Sequence, residues 1–263
     1  MAGYLFENRR IEAGERFAAL AELFDPWTFR HLDALGLGEG WRCWEVGAGG
    51  TSVVRGLADR VGTQGRVLAT DIDVSWIEAS AGGPVEVRRH DVVRDPPPDE
   101  TFDLVHARLV LVHLPERAAA LEAMIRALRP GGWLVLEDAD PALQPLACPD
   151  ETGPAEELAN RLRSRTRSLL VERGADLAYG RTLRRLLRQA RLTDVGAEAY
   201  FPIGSAACAT LEAASVQHVR DELLAAGLAT PEEIATHLAN LARGELDLMF
   251  APMVTAWGRK GQL

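Results

Sequence analysis

Between Trp41 and Glu137, short apolar runs alternate with amphipathic stretches at the cadence of βα units, which predicts a parallel sheet with helices on both faces. The runs place strands at Trp41–Val46, Arg66–Thr70, Val85–Arg89, Phe102–Ala107 and Trp133–Glu137. The third is the least apolar because arginines flank it. Leu114-Pro115-Glu116 sets a proline and an acid in a first helical turn. Apolar residues then recur at helical spacing from Ala118 to Leu128, until Pro130-Gly131-Gly132 stops the helix and feeds the fifth strand. Ahead of this core, residues 11–37 read as two helices broken at Asp25-Pro26. Beyond it, Pro141, Pro145, Pro149 and Pro154 lead into a helical region over 155–190. Two more strands follow, Thr193–Phe201 and Pro252–Gly258. Helices over 207–226 and 231–243 lie between them, the second started by Thr230-Pro231-Glu232-Glu233.

A chain of 263 residues suits one large α/β domain with helical additions. The pattern divides it into N-terminal helices over 1–40 that belong to a lid, a core over 41–140, a helical insertion over 141–180, and a C-terminal part of the core over 181–263 with a second helical insertion at 205–245. No apolar run approaches the ~20 residues of a membrane-spanning helix. The opening MAGYLFENRRIEAGERF carries charges in every turn and lacks the apolar stretch of a secretory signal, so the expected address is cytoplasmic. Cys43, Cys148 and Cys208 lie far apart without C-x-x-C spacing. They suggest neither a zinc site nor a disulfide framework and read as reduced packing residues.

The formal charge of −9 disfavours a general nucleic-acid binder, whose affinity rests on a positive surface. Its distribution is uneven, since residues 161–191 hold ten arginines against Glu172 and Asp176. That segment reads either as a solvated helical face paired with acids elsewhere or as a basic rim that recruits an acidic substrate. The oligomeric state, monomer or homodimer, stays open.

The residues that carry chemistry begin at Trp44-Glu45-Val46-Gly47-Ala48-Gly49-Gly50-Thr51-Ser52, where the first strand ends and a helix opens. Glycines at that place permit a sharp turn and a close approach of backbone to ligand. A dinucleotide fingerprint needs a third small residue, Gly or Ala, where Ser52 stands. Glu45 discriminates further: a carboxylate two residues before the first glycine repels a pyrophosphate but suits an ammonium and a sulfonium, as S-adenosylmethionine offers. Asp71, 22 residues beyond Gly49 at the end of the second strand, is placed to accept from both ribose hydroxyls. Asp73 reads as the cap of a helix starting near Val74. Asp91 can accept from an adenine amino group, with Ile72 and Val92 on the two faces of the base; taken alone, Asp91 has a turn or capping role as its default.

The ordered series EVGAGG, ATDID, HDV, FDLVHARLVLVHLP and LRPGGWLVLED resembles the successive cofactor elements of class I S-adenosylmethionine-dependent methyltransferases over residues 41–138. The resemblance implies a Rossmann-like, seven-stranded sheet of order 3-2-1-4-5-7-6 with the last strand antiparallel. It also implies Glu45, Gly47, Ala48 and Gly49 at the methionine end, Asp71 on ribose, Asp91 on adenine, and Ala107 or Arg108 beneath the sulfonium. Thr51 departs from the longer glycine run of such proteins, and Gly47 and Gly49 preserve the turn.

Methyl transfer is an in-line displacement, so an enzyme chiefly aligns donor and acceptor and excludes water, and no metal is required. A base helps only an acceptor that must lose a proton. His113 in VLVHLP is the candidate, because the loop after the fourth strand faces the methyl group in this fold. A similarly placed histidine works with an amino-terminal tyrosine in phosphoethanolamine methyltransferases, and Tyr4 is the corresponding candidate partner. The competing reading makes His113 a loop anchor. His106, inside an apolar strand, reads as a satisfied core histidine; Arg108, Glu137, Asp138 and Asp140 are candidates to line an acceptor pocket, with loop capping the alternative for the two aspartates. The leading expectation is a methyltransferase for a small-molecule acceptor, a secondary metabolite, at O, N or C. An RNA or protein methyltransferase, a cofactor-retaining protein that transfers no methyl, and a nicotinamide dehydrogenase are the competing readings.

Overall fold

The computed structural model describes residues 12–262. In one compact unit, made of Phe24–Ala139, Tyr179–Tyr200 and Met253–Leu263, seven strands form a single sheet. They are β1 (Arg42–Val46), β2 (Arg66–Asp71), β3 (Val85–Arg89), β4 (Phe102–Arg108), β5 (Leu128–Ala139), β6 (Thr193–Tyr200) and β7 (Met253–Arg259). Their order is β3-β2-β1-β4-β5-β7-β6, as the resemblance implies. The first five are mutually parallel, and β7 runs antiparallel to both of its neighbours.

The central strands are buried on both faces, which is why they read as near-continuous apolar runs. Alternate residues take opposite sides. Trp44, Leu68, Val105 and Leu134 join the core beneath α3 (Arg117–Ala127) and α5 (Leu183–Gln189), whereas Cys43, Val67, Leu104 and Val135 join the core with Val54 and Leu57 of α2 (Ser52–Val61). Chain order reverses between β1 and β4. The crevice outside the carboxyl ends of such strands is where open α/β sheets bind ligands.

Two sequence expectations are corrected here. Residues 11–37 do not break at Asp25-Pro26: α1 runs unbroken over Glu12–Ala34. Pro26 and Glu22, one turn back, are both exposed, so the carbonyl that proline deprives of a donor faces water. Nor do Pro130-Gly131-Gly132 form a turn between α3 and a later strand. The helix stops at Ala127 and β5 starts at once, with the three residues absorbed in a register shift between the pairs Phe102/Leu128 and Leu104/Trp133.

A second compact unit takes in Asp140–Ala178 and Phe201–Pro252 with the first part of α1. Its helices are α4 (Pro154–Glu172), α6 (Ala206–His218), α7 (Arg220–Ala225) and α8 (Pro231–Arg243), packed around Leu158, Leu162, Leu169, Val216, Leu223 and Ile234. Thr230 and Glu233 close a reciprocal capping box at the start of α8, as the sequence signals. The expected helix over 155–190 is split into α4 and α5. Three of the four arginines of α4 face acids: Arg165 bonds Glu233 at 2.9 Å, Arg161 lies 3.8 Å from it, and Arg163 bonds Glu212 at 2.5 Å and the Met249 carbonyl at 3.0 Å. These three therefore follow the paired-face reading of the arginine-rich segment. Cys43, Cys148 and Cys208 are buried and free. No helix among the described residues is long and apolar enough to cross a membrane.

Candidate functional site

Val46 ends β1 and Ser52 opens α2, so Gly47 to Thr51 form the whole turn. Gly47 and Gly49 hold φ of +64° and +51°, in the left-handed region that side chains disfavour. The turn is latched to β2 at two points. The Ala48 amide donates to the Thr70 carbonyl at 2.9 Å, and the Gly49 amide donates to Asp71 Oδ2 at 3.0 Å. Asp71 Oδ1 accepts from the Asp73 amide at 2.9 Å. An ionised carboxylate has about four acceptor positions, so Asp71 keeps roughly one for a ligand beyond the Gly49, Asp73 and Ile72 amides. Burial pushes its pKa up, against the pull of the Asp73 and Gly49 amides.

Around this turn the other expected cofactor residues take distinct positions. Ile72 is 59% exposed, a large apolar side chain held in solvent beside Asp71, whereas Val92 is 7% exposed and packs into the sheet core. Asp91 spends Oδ1 on the amides of Val93 (2.9 Å) and Arg94 (3.3 Å), the turn-forming role that is its default, and Oδ2 has Arg94 at 3.7 Å. Asp73 does accept from the Ser75 amide at 3.1 Å, but no α-helix starts near Val74. The segment is a turn followed by the single 3-10 turn Glu78–Ser80, so the expected helix is corrected to an Asx turn.

Glu45 is buried, and its carboxylate faces inward. Its Oε2 lies 2.6 Å from His106 Nδ1, in the adjacent register position of β4. His106 Nε2 lies 3.3 Å from Glu137 Oε2 on β5. Glu137 also accepts from Thr255 Oγ1 at 2.7 Å and from Thr28 Oγ1. Arg108 donates to Asp25 at 2.8 Å and to Thr28 Oγ1 at 3.2 Å, which ties α1 to the same cluster. Burial works against a charged His106, but the Glu45 carboxylate and the Glu137 hydrogen bond outweigh it, raising its pKa to about 9. Burial likewise opposes ionised Glu137, yet His106, Arg108 and Thr28 lower its pKa to about 2.

These shifts fix a pH window. A raised imidazole adds stability that is complete below its unfolded value of 6.5 and is lost as pH climbs through about 9; a depressed carboxyl adds stability that is complete above 4.5 and is lost as pH falls through about 2. The denaturant midpoint is therefore expected to be higher at pH 6 than at pH 9. Equal midpoints at the two pH values would contradict an ionised cluster.

The sequence reading places His106 in the core and misses that it joins Glu45 to Glu137. The available signal is three ionisable residues near the carboxyl ends of three otherwise apolar strands. Seeing them as one group requires the strand order.

At the end of β4, Ala107 is buried and Leu109 adopts φ +57°, an uncommon conformation for a bulky residue, with its amide donating to the Glu137 carbonyl at 2.7 Å. The next residue, Val110, packs against Gly47: a Cβ on that glycine would lie 2.4 Å from Val110 Cγ2. His113 closes the 3-10 turn Leu111–His113 and is half-buried. Asp138, buried on β5, accepts from the Val112 amide at 3.4 Å and so caps the His113 turn, the alternative considered for it; burial pushes its carboxyl well above the usual range. Asp140 is fully buried, and its amide donates to the Pro252 carbonyl at 2.9 Å. Tyr4, the candidate partner of His113, lies outside the described residues.

Comparison with known proteins agrees with this geometry. Residues 44–136 match the family described as methyltransferase domain. The chain is 30% identical over 132 residues to the ubiquinone/menaquinone biosynthesis C-methyltransferase UbiE of Neisseria meningitidis, covering 48% of this chain and 54% of that protein. It is 34% identical over 164 residues to methyltransferase str2 of Strobilurus tenacellus, covering 61% and 56%. The chain thus spans about half the length of these relatives. Among solved structures it is similar in fold to phosphoethanolamine N-methyltransferase 2 of Haemonchus contortus, solved with phosphomonomethylethanolamine and S-adenosylhomocysteine. The TM-score is 0.61 at 13% identity, over 99% of this chain and 61% of that one. The family match, the glycine turn and the central strands thus fall on the same segment, and residues 44–136 are similar to a methyltransferase domain.

Proposed function

We propose that the chain transfers a methyl group from S-adenosylmethionine to a small-molecule acceptor, a secondary metabolite by class, at O, N or C. The observation that carries this reading is the Gly47–Thr51 turn, bent through two left-handed glycines and latched by Asp71, which leaves backbone and a buried carboxylate together at the β1/β4 switch point. The relatives point the same way: UbiE is named for C-methylation in quinone biosynthesis, and the Haemonchus enzyme for N-methylation of phosphoethanolamine.

The cofactor supplies a methyl group on a positively charged sulfur that becomes a neutral thioether once the methyl has left. Glu45, Gly47, Ala48 and Gly49 would hold its methionine end, Asp71 would accept from the ribose hydroxyls, and Asp91 would accept from the adenine amino group. Ile72 and Val92 would lie on the two faces of the base, with Ala107 or Arg108 beside the sulfur. Arg161, Arg163 and Arg165 are already engaged by acids, which weakens the reading of α4 as a docking stripe for RNA. Three buried free thiols suit a reducing compartment, and we place the protein in the cytoplasm.

Calorimetric titration tests the reading: S-adenosylhomocysteine should bind at micromolar levels and NADH should not. Detectable NADH binding without uptake of the sulfur nucleoside would overturn it. A metabolite library incubated with protein and cofactor should yield one product heavier by one methyl. With that acceptor, His113→Ala is expected to lower turnover at least tenfold while S-adenosylhomocysteine affinity stays unchanged, since removing a general base costs rate rather than cofactor binding. Unchanged turnover would return His113 to anchoring its loop.

A further inference from the structure

A neutral imidazole has one N–H and one lone pair, so it can satisfy one carboxylate and must present its lone pair to a second. His106 is completely buried with a carboxylate at each ring nitrogen, 2.6 Å away on one side and 3.3 Å on the other. The proton between Nε2 and Glu137 cannot come from Glu137 without loss, because both oxygens of that carboxylate already accept hydroxyl donors, from Thr28 and Thr255. The short contact at Nδ1 has the length of a charge-assisted bond. Each arm therefore draws its proton from the ring.

We propose that His106 is an imidazolium at neutral pH and a positioning residue, which cross-links Glu45 to Glu137 across three strands and so holds the Glu45 carboxylate fixed for the cation of the cofactor. This rests on the cofactor reading above. The charged and titratable groups around His106 are Glu45 from β1, Arg108 from its own strand, Glu137 and Asp138 from β5, and Asp25 from α1. Counting Glu45, Glu137 and Asp25 against His106 and Arg108, the ionised cluster carries one surplus negative charge. A cationic ligand compensates that charge, whereas an anionic one adds to it. Without His106 the Glu45 carboxylate would lose the cross-link that fixes its place, and the cation would lose its oriented partner.

The imidazolium is read on the unliganded wild-type protein with nitrogen-15-labelled histidine. One of the six histidines should show both ring nitrogens protonated and unchanged from pH 6 to pH 8, and the signal should vanish in His106→Gln. A His106 that titrates between those values, or that shows a neutral tautomer, overturns the proposal. The positioning role is read by calorimetry with S-adenosylhomocysteine, whose amino group is the cation bound. Wild-type affinity should be level from pH 6 to pH 8. His106→Gln should weaken it roughly tenfold while leaving the affinity for 5′-methylthioadenosine, which lacks the amino group, unchanged. An equal loss for both ligands marks a merely structural histidine, and no loss at all removes the role. Should the wild type take up no nucleoside, the proposed function and the positioning role both fail, while the nitrogen signal still decides the imidazolium.

Discussion

A valine at position 47 is expected to abolish measurable S-adenosylhomocysteine binding and to lower the melting temperature. Two independent costs meet at this residue. The backbone is left-handed, φ +64°, which costs an L side chain ~1–2 kcal/mol, and a β-branched one fits there worst. The added Cβ would lie 2.4 Å from Val110 Cγ2, a distance at which something must move. Val110 has little freedom to do so, since it follows Leu109, itself at φ +57° with its amide held by the Glu137 carbonyl. Overpacking of this kind costs roughly 1–3 kcal/mol. Relief by rotation of the turn would pull Gly49 off Asp71, so whichever way the protein yields, the surface offered to the cofactor changes. Gly47→Ala meets both costs in milder form and should fall between wild type and valine. Calorimetry and thermal melting of the two variants check the order; micromolar affinity retained by Gly47→Val would show that the turn does not cradle the ligand.

The central strands are legible in the sequence because parallel strands buried on both faces write themselves as apolar runs, and the strand order follows from the resemblance. What misleads is local chemistry overruled by tertiary position. Pro26 reads as a break, yet it sits on an exposed helical face while Thr28 and Asp25, close by in α1, are held by Glu137 and Arg108. Pro130-Gly131-Gly132 reads as a turn, yet Gly131 and Gly132 pair with Lys260 across the sheet: the Gly131 amide donates to its carbonyl and its amide donates to the Gly132 carbonyl. The site shows the same division. Glu45, Gly47, Gly49 and Asp71 are near enough in pattern to be read as a set. The bond from His106 to Glu45 spans 61 positions and depends on register, which no spacing along one chain encodes.

Asp71→Ala is expected to weaken S-adenosylhomocysteine binding by about 100-fold, equivalent to ~2.7 kcal/mol. In the proposed site Asp71 would serve the turn and the ligand with the same two oxygens. Loss of the carboxylate leaves the Gly49 and Asp73 amides without the acceptor they share, each worth ~1–3 kcal/mol where water cannot replace it, and removes the acceptors for ribose. The two contributions separate in Asp71→Asn. Its one carbonyl oxygen can keep one amide, but its NH2 group meets the other N–H donor to donor, so the turn loosens while the size and most of the burial are kept. The ionisation of Asp71 gives an independent check. Because burial raises its pKa, wild-type affinity should fall on acidification earlier than for an ordinary aspartate, as the acceptor oxygens take up a proton. Asp71→Asn should lack that fall and start from the weaker value. A variant that binds as tightly as wild type at neutral pH would mean that Asp71 only braces the turn, with the ribose held elsewhere.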